Sequence, residues 1–259
     1  MHAEPRARYK VSIITAVLNA RATLAQTIAS IAAQDYPALE YIIVDGGSTD
    51  GTREVIADWR DRVDVLIEEQ DSGIAEAMNK GLARASGDLV LFLHADDRLA
   101  DDAALKRAVS AIDSSDAIWA FDILFGTVGH PRRYSPRPFN AWTRFKNPLP
   151  HQGVLCPRRL YDRLGGFDPS LKICMDYEFF LRAYLAGITL RRVPTILAVM
   201  GSAGVSSRRD WDGLRARLGE ERRVQARHAG GAAWRAVSAL YWPLYLSYRR
   251  VRALRGGPR

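Results

Sequence analysis

Apolar residues early in this chain fall into short dense runs, separated by stretches where they recur every three or four positions. Val11 to Thr15 (VSIIT), Tyr41 to Val44 (YIIV), Val65 to Glu68 and Leu89 to Leu93 (LVLFL) are the dense runs. Their length and apolar, largely β-branched content predict strands, with the first, second and fourth buried in the sheet. Between them, Leu24, Ile28 and Ile31 keep helical spacing, and helices are also expected over Thr52 to Arg60 and Gly73 to Ala85. Strands alternating with helices need crossover connections, which imply an α/β fold with a mainly parallel sheet and helices on both faces. Such sheets gather ligands at the carboxyl ends of their strands, so the residues just after each dense run are the ones to question.

Beyond Asp101 the pattern loosens. A helix is expected from Asp102 to Ile112, a strand near Ala117 to Leu124, and a helix from Met175 to Ala186 stopped by Gly187. Gly126 to Pro150, rich in Pro, Arg and aromatics, reads as irregular. Near the end, Ala232 to Tyr248 is aromatic-rich and followed by Arg249, Arg250, Arg252 and Arg255. Its uninterrupted apolar part, Ala236 to Tyr248, is 13 residues long and contains Pro243, against the roughly 20 apolar residues a membrane span needs. An interfacial segment is expected instead, with aromatics at headgroup depth and arginines on anionic lipid phosphates. The alternative is a terminal helix packed on the domain or on the partner in a homodimer.

Composition narrows the classes. At 259 residues, 47% hydrophobic and 25% charged, the chain is neither generally disordered nor a polytopic membrane protein. Its net charge of +8 is unevenly placed: Val205 to Arg259 holds 13 basic and four acidic residues, which leaves the remainder at −1. A basic tail on a nearly neutral body points to an anionic partner. Phospholipid suits it better than nucleic acid, because the aromatics cluster apart from the basic run instead of alternating with it. Two cysteines, Cys156 and Cys174, fit a reducing compartment and lack zinc-ligand spacing, and Met1 to Lys10 has no signal-peptide apolar stretch. The expected location is cytoplasmic, peripheral on the inner face of the plasma membrane.

Four places can carry chemistry. Asp45 ends YIIV in the turn DGGSTDGT, where its carboxylate could accept from a nucleobase imino group or a ribose hydroxyl, or could simply shape the turn. The turn lacks the GxGxxG spacing of a dinucleotide fingerprint. His94, Ala95, Asp96 and Asp97 follow LVLFL, and adjacent carboxylates at a strand mouth suit a Mg²⁺ or Mn²⁺ ion that shares phosphate oxygens with a substrate. Helix capping is the plainer role for that pair. Asp176 opens a helix, which by itself suits capping, and His151 follows Pro150 as a surface or site histidine.

Taken in order, VSIITAVLNA, EYIIVDGGSTDGT, QDSGIAEAMNKG, GDLVLFLHADD, HQGVLCPRRLYDRLGGFD, CMDYEFFLR and GSAGVSS resemble the family 2 glycosyltransferases of the GT-A fold, over about residues 10 to 205. The likeness is greatest to bacterial enzymes that assemble polysaccharides and glycolipids. It implies a GT-A catalytic domain over residues 1–205 and a C-terminal helical basic and aromatic extension over 206–259. It further implies a nucleotide-sugar donor, commonly UDP-linked. Thr15, Ala16, Leu18 and Asn19 would then line the nucleoside pocket, Asp45 and Asp71 would hold the base, and Asn79 and Lys80 would lie nearby. Asp96 matches the last acidic residue of the metal-binding DxD motif, and His94 and Ala95 fill its first two positions. Asp97 and His151 would face the donor or acceptor sugar.

Asp176 matches the family's catalytic base, with Met175 where an acidic neighbour is usual. Such a carboxylate takes the proton of an attacking hydroxyl while the cation offsets charge on the departing diphosphate, and the displacement inverts the anomeric centre. The expected acceptor is lipid-linked or a glycolipid. A nucleotidyltransferase is the enzymatic rival, but it needs a glycine-rich basic loop that LNARATLAQ lacks. His94 and Met175 are the two departures that would suit a non-catalytic glycan- or lipid-binding relative.

Overall fold

The computed structural model describes residues 8–126, 131–201 and 211–254. The elements run β1 (Val11–Val17), α1 (Leu24–Ala32), β2 (Leu39–Asp45), α2 (Thr52–Asp58), β3 (Val65–Glu68), α3 (Ile74–Arg84), β4 (Leu89–Phe92), β5 (Arg98–Leu99), α4 (Ala104–Ser110), β6 (Ala117–Phe125), β7 (Arg132–Tyr134), β8 (Val154–Pro157), α5 (Arg158–Leu164), α6 (Met175–Leu185), β9 (Thr189–Met200), α7 (Trp211–Arg227) and α8 (Gly231–Leu254). The sheet order is β3-β2-β1-β4-β8-β6-β9-β5, with β7 paired to β6. Strands β3, β2, β1 and β4 are mutually parallel, as the alternating pattern predicted, and β8 joins β4 antiparallel.

All seven residues of β1 are buried, because the sheet is covered on both faces. Strand alternation divides them: Ile14 and Ala16 join Ile42, Val44, Val90 and Phe92 under α3, α5 and α6, while Val11, Ile13 and Val17 join Tyr41, Ile43 and Leu91 under α1, α2 and α4. Helix α3 lies so close to β1 that a Cβ at Gly81 would collide with Ile14. The expected helix over Thr52 to Arg60 ends at Asp58, and the chain turns through a 3₁₀ turn, Arg60–Arg62, into β3.

The C-terminal helices fold back onto the α6 side of the sheet. Val224 of α7 is fully buried in the core cluster there, Glu221 pairs with Lys146 at 2.6 Å, and Trp242 of α8 donates to Gln225 at 2.9 Å. The expectation of aromatics turned toward headgroups is corrected at this point. Trp234 and Tyr241 pack on Phe145, and Tyr245 lies under the Lys146 ammonium. An apolar ring gains more from a packed protein face with a cation above it than from water. What α8 leaves outward is mostly aliphatic, Val237, Leu240, Leu244 and Val251, with one ring, Tyr248, among them, all spaced to share one helical face. No helix among the described residues is long and apolar enough to cross a membrane.

Candidate active site

Strand order reverses between β1 and β4, so their carboxyl ends part and leave a crevice. An open cleft of about 640 Å³ lies there, lined by Leu18, Asn19, Arg21, Asp50, Ala95 and Asp96 among others. Its walls are two stitched turns. Asn19, at φ 52, is a non-glycine residue in left-handed backbone, a conformation asparagine tolerates better than most. Its amide donates to Ser48 Oγ and its Oδ1 accepts from the Thr49 amide, both at 2.8 Å. Asp45 lies beneath with no exposed surface, accepting from the Ser48 amide and hydroxyl and from Arg53 Nε at 3.1 Å. Thr15 is also fully buried, its hydroxyl donating to Leu93 O at 2.6 Å, and Ala16 is nearly so. Of the residues expected to line the nucleoside pocket, Leu18 and Asn19 thus reach the cleft, while Thr15, Ala16 and Asp45 shape it from below.

Asp71 stands where a side chain on Gly46 would be, since a Cβ at that glycine would collide with the Asp71 carboxylate. Asp71 also accepts from the Gly73 amide at 2.9 Å, fixing the turn into α3. Asn79 pairs reciprocally with the backbone of Phe167, both bonds 2.8 Å, and so ties α3 to the loop after α5. Lys80 donates to Gln70 O at 2.8 Å and pairs with Glu69 at 3.2 Å.

Past β4 the chain turns sharply. Asp97 is 2% exposed and accepts from the Gly201 amide at 3.0 Å and the His94 amide at 3.3 Å. Burial, helped by the neighbouring Asp96 charge, pushes its pKa up to about 6. Asp97 therefore holds the end of β9 against this turn. Asp96 is only partly buried and faces Gly201 so closely that a Cβ there would strike it. The GSAGVSS motif, Gly201 to Ser207, lies outside the described residues after Gly201. His94 is neutral, its pKa brought down to about 3 by burial and by His151, whose ring centroid lies 5.0 Å away.

Asp176 occupies the first turn of α6 with three donors on it: the Tyr177 amide at 2.6 Å, Asn147 Nδ2 at 3.0 Å and His151 Nδ1 at 3.4 Å. Burial disfavours charge on His151, but the bond to Asp176 and the charges of Asp176, Asp97 and Asp96 outweigh it and raise its pKa. One imidazole thus bonds the carboxylate that opens α6 while its ring sits against that of His94 in the turn after β4. Asn147 and Gln152, which bonds Asp97, belong to the site although neither was named as a site residue; Gln152 lies within the quoted HQGVLCPRRLYDRLGGFD motif, whereas Asn147 lies outside every motif. The signal for Asn147 was its place before Pro148 and close to His151.

Among the described residues, no group of three or more His, Cys, Asp or Glu side chains forms a self-sufficient metal cage. The donors present fit an ion that arrives with phosphate: a part-exposed Asp96 carboxylate beside the buried, unpartnered Nδ1 of His94. Mg²⁺ and Mn²⁺ take one or two protein ligands and complete their shells from substrate and water.

Comparison with known proteins gives this arrangement its relatives. An uncharacterized glycosyltransferase of Mycobacterium tuberculosis is 34% identical over 208 residues, covering 77% of this chain and 78% of the relative. Among solved structures, the mannosyltransferase PcManGT of Pyrobaculum calidifontis, in complex with GDP-Man and Mn²⁺, superposes with a TM-score of 0.69 at 21% identity, covering 99% of this chain and 78% of that one. S. aureus TarS (residues 1–349) in complex with UDP-GlcNAc gives 0.65 at 19% identity, covering 84% and 71%. These structures establish a common GT-A fold. The sequence profile described as Glycosyl transferase family 2 matches residues 12–167, and with it the chain belongs to that family of glycosyltransferases.

Proposed function

We propose that this glycosyltransferase moves a sugar from a UDP-linked donor to a hydroxyl of a lipid-linked saccharide or glycolipid, with inversion. Asp71, with Gly46 leaving it room, takes the base; Leu18 and Asn19 flank the nucleoside; Asp96, with His94 beside it, holds a Mn²⁺ or Mg²⁺ ion. When bound, that ion neutralises charge on the leaving diphosphate. Asp176 receives the acceptor proton as the hydroxyl oxygen bonds to the anomeric carbon and the bond to the diphosphate oxygen breaks. Asn147 and His151 hold that carboxylate at one aim, and His151 reaches the sugar. The observation carrying this reading is His151, which bonds Asp176 at 3.4 Å while its ring centroid lies 5.0 Å from that of His94, two residues before Asp96.

The reading of the ends follows the same logic. An α/β catalytic domain to about residue 205 carries a helical extension, whose outward apolar stripe on α8 rests on an anionic membrane surface beside the acceptor. In this reading the enzyme works at the inner face of the plasma membrane. Incubating the purified protein with a panel of UDP- and GDP-sugars and Mn²⁺ tests the chemistry. Donor turnover should appear, favouring UDP, and Asp176→Asn should bind donor yet fall by about 100-fold or more in turnover. Turnover that survives this change would remove Asp176 from the role of base.

A further inference from the structure

The carboxylate of Glu220, on α7, is 5% exposed and has no place in the transfer chemistry. It accepts three consecutive backbone amides: Lys172 at 2.9 Å on one oxygen, then Ile173 at 2.8 Å and Cys174 at 2.9 Å on the other. Cys174 is the residue from which α6 starts, and its side chain makes no cap of its own. Arg223, itself mostly exposed, pairs with this carboxylate at 3.5 Å. Successive amides converging on one buried anion form a nest, and a negative charge is favoured at a helix N-terminus. The nest ends two residues before Asp176.

We propose that Glu220 is a positioning residue for Asp176: through those three amides the C-terminal extension sets where the first turn of α6 begins, and hence where the base points. This rests on the reading of Asp176 as the base. The same extension fixes the other side of that carboxylate. Gln225 donates to Phe145 O at 3.0 Å and Glu221 holds Lys146, just ahead of Asn147, which bonds Asp176. Helix α7 therefore grips both segments that aim the base, and the extension is part of the catalytic apparatus as well as an attachment surface. A carboxylate matches three N–H donors, whereas an amide at this position turns N–H toward N–H. The resulting drift of the α6 start leaves the nucleotide cleft, at the ends of β1 and β4, as it was.

The test uses the full chain with Glu220→Gln, Glu220→Asp, and Arg223→Ala as the control that spares the amides. Turnover is measured on the best donor from the UDP- and GDP-sugar panel, binding by the thermal shift with UDP and Mn²⁺, and amide exchange over residues 171–178 by mass spectrometry. Glu220→Gln should lower kcat about tenfold to a hundredfold, the range a misplaced catalytic group produces, with donor KM and the UDP shift unchanged and faster exchange over 171–178. Glu220→Asp should fall between it and wild type and decides the matter if the Gln variant does not fold, and Arg223→Ala should match wild type. Glu220→Gln or Glu220→Asp at wild-type kcat, or a kcat loss matched by an equal loss of UDP-binding sites, overturns the proposal. Asp176→Asn, run in parallel, separates the failures: if it keeps turnover, the base reading falls and this proposal with it, whereas an inactive Asp176→Asn beside a fully active Glu220→Gln defeats the positioning role alone.

Discussion

Asn147 Nδ2 lies 3.0 Å from Asp176 Oδ2, so the proline-rich segment before β8 reaches across to hold the carboxylate that opens α6. A hydrogen bond to a charged group is worth about 1.5–3 kcal/mol, and its loss frees the side chain to rotate. Asn147→Ala should therefore lower kcat about tenfold with little change in donor KM, measured by steady-state kinetics on the preferred sugar nucleotide. Equal kcat for the two proteins would mean that His151 and the Tyr177 amide suffice to hold Asp176.

Asp96→Asn should separate metal from nucleotide. UDP alone should raise the melting temperature of this variant as it does that of wild type, while the added rise on supplying Mn²⁺ disappears. Bound ligand stabilises by RT ln(1 + [L]/Kd), so a 100-fold weaker ternary complex removes about 2.7 kcal/mol at saturating concentrations. Persistence of the Mn²⁺ increment would place the ion elsewhere.

At Gly46 the expected effect is on affinity alone. The methyl of Gly46→Ala meets the far end of the Asp71 side chain, which can swing away, so stability should change by less than about 1 kcal/mol. If Asp71 takes the base as proposed, donor KM should nonetheless rise about tenfold. Isothermal titration with UDP and with GDP would show whether the loss is specific to one base.

Glu40 offers a pH-dependent prediction away from the site. Burial opposes its charge, but bonds from Ser12, from the amide and hydroxyl of Ser86 and from Lys10 prevail and hold its pKa near 2, below the ordinary 4.5. A folded pKa below the unfolded one gives stability that is complete above about pH 5 and lost as pH falls toward 2. Glu40→Gln should flatten that part of the curve and cost about 1–3 kcal/mol at pH 7, read by urea unfolding at several pH values. A wild-type curve with the same slope as the variant's would contradict the assignment.

The two faces of α8 should respond oppositely. Trp242→Ala empties a buried site and strands Gln225, costing about 3–5 kcal/mol. Leu240→Glu with Leu244→Glu alters residues that are 71% and 72% exposed, so stability should hold within about 1 kcal/mol while sedimentation with anionic vesicles drops sharply. Unchanged vesicle binding would move the contact away from this stripe, and a change in oligomeric state instead would give it to a second copy of the chain.

Much of this was legible in the residues. The runs at Val11, Tyr41 and Leu89 are dense because their strands are covered twice, whereas the run at Val65 forms the half-buried edge strand β3. Strand β9 was not read, because Arg191, Arg192 and Pro194 interrupt any alternation where the strand shifts register against β6. Asp45 and Asp97 were legible as important but not as buried, since an acidic residue looks the same in sequence whether its oxygens meet a ligand or a neighbouring amide. Glu220 gave no signal: on a strongly charged helix, one inward carboxylate is told from its neighbours only by the amides it meets in three dimensions.

Val224 has a consequence for synthesis. Until the ribosome has delivered α7, the core around α6 lacks Val224, and a nascent chain halted before that point would present a sticky, half-dressed surface to chaperones and proteases. Truncated products should therefore be cleared and not accumulate as smaller working enzymes. The order of translation itself would then guard against premature sugar transfer.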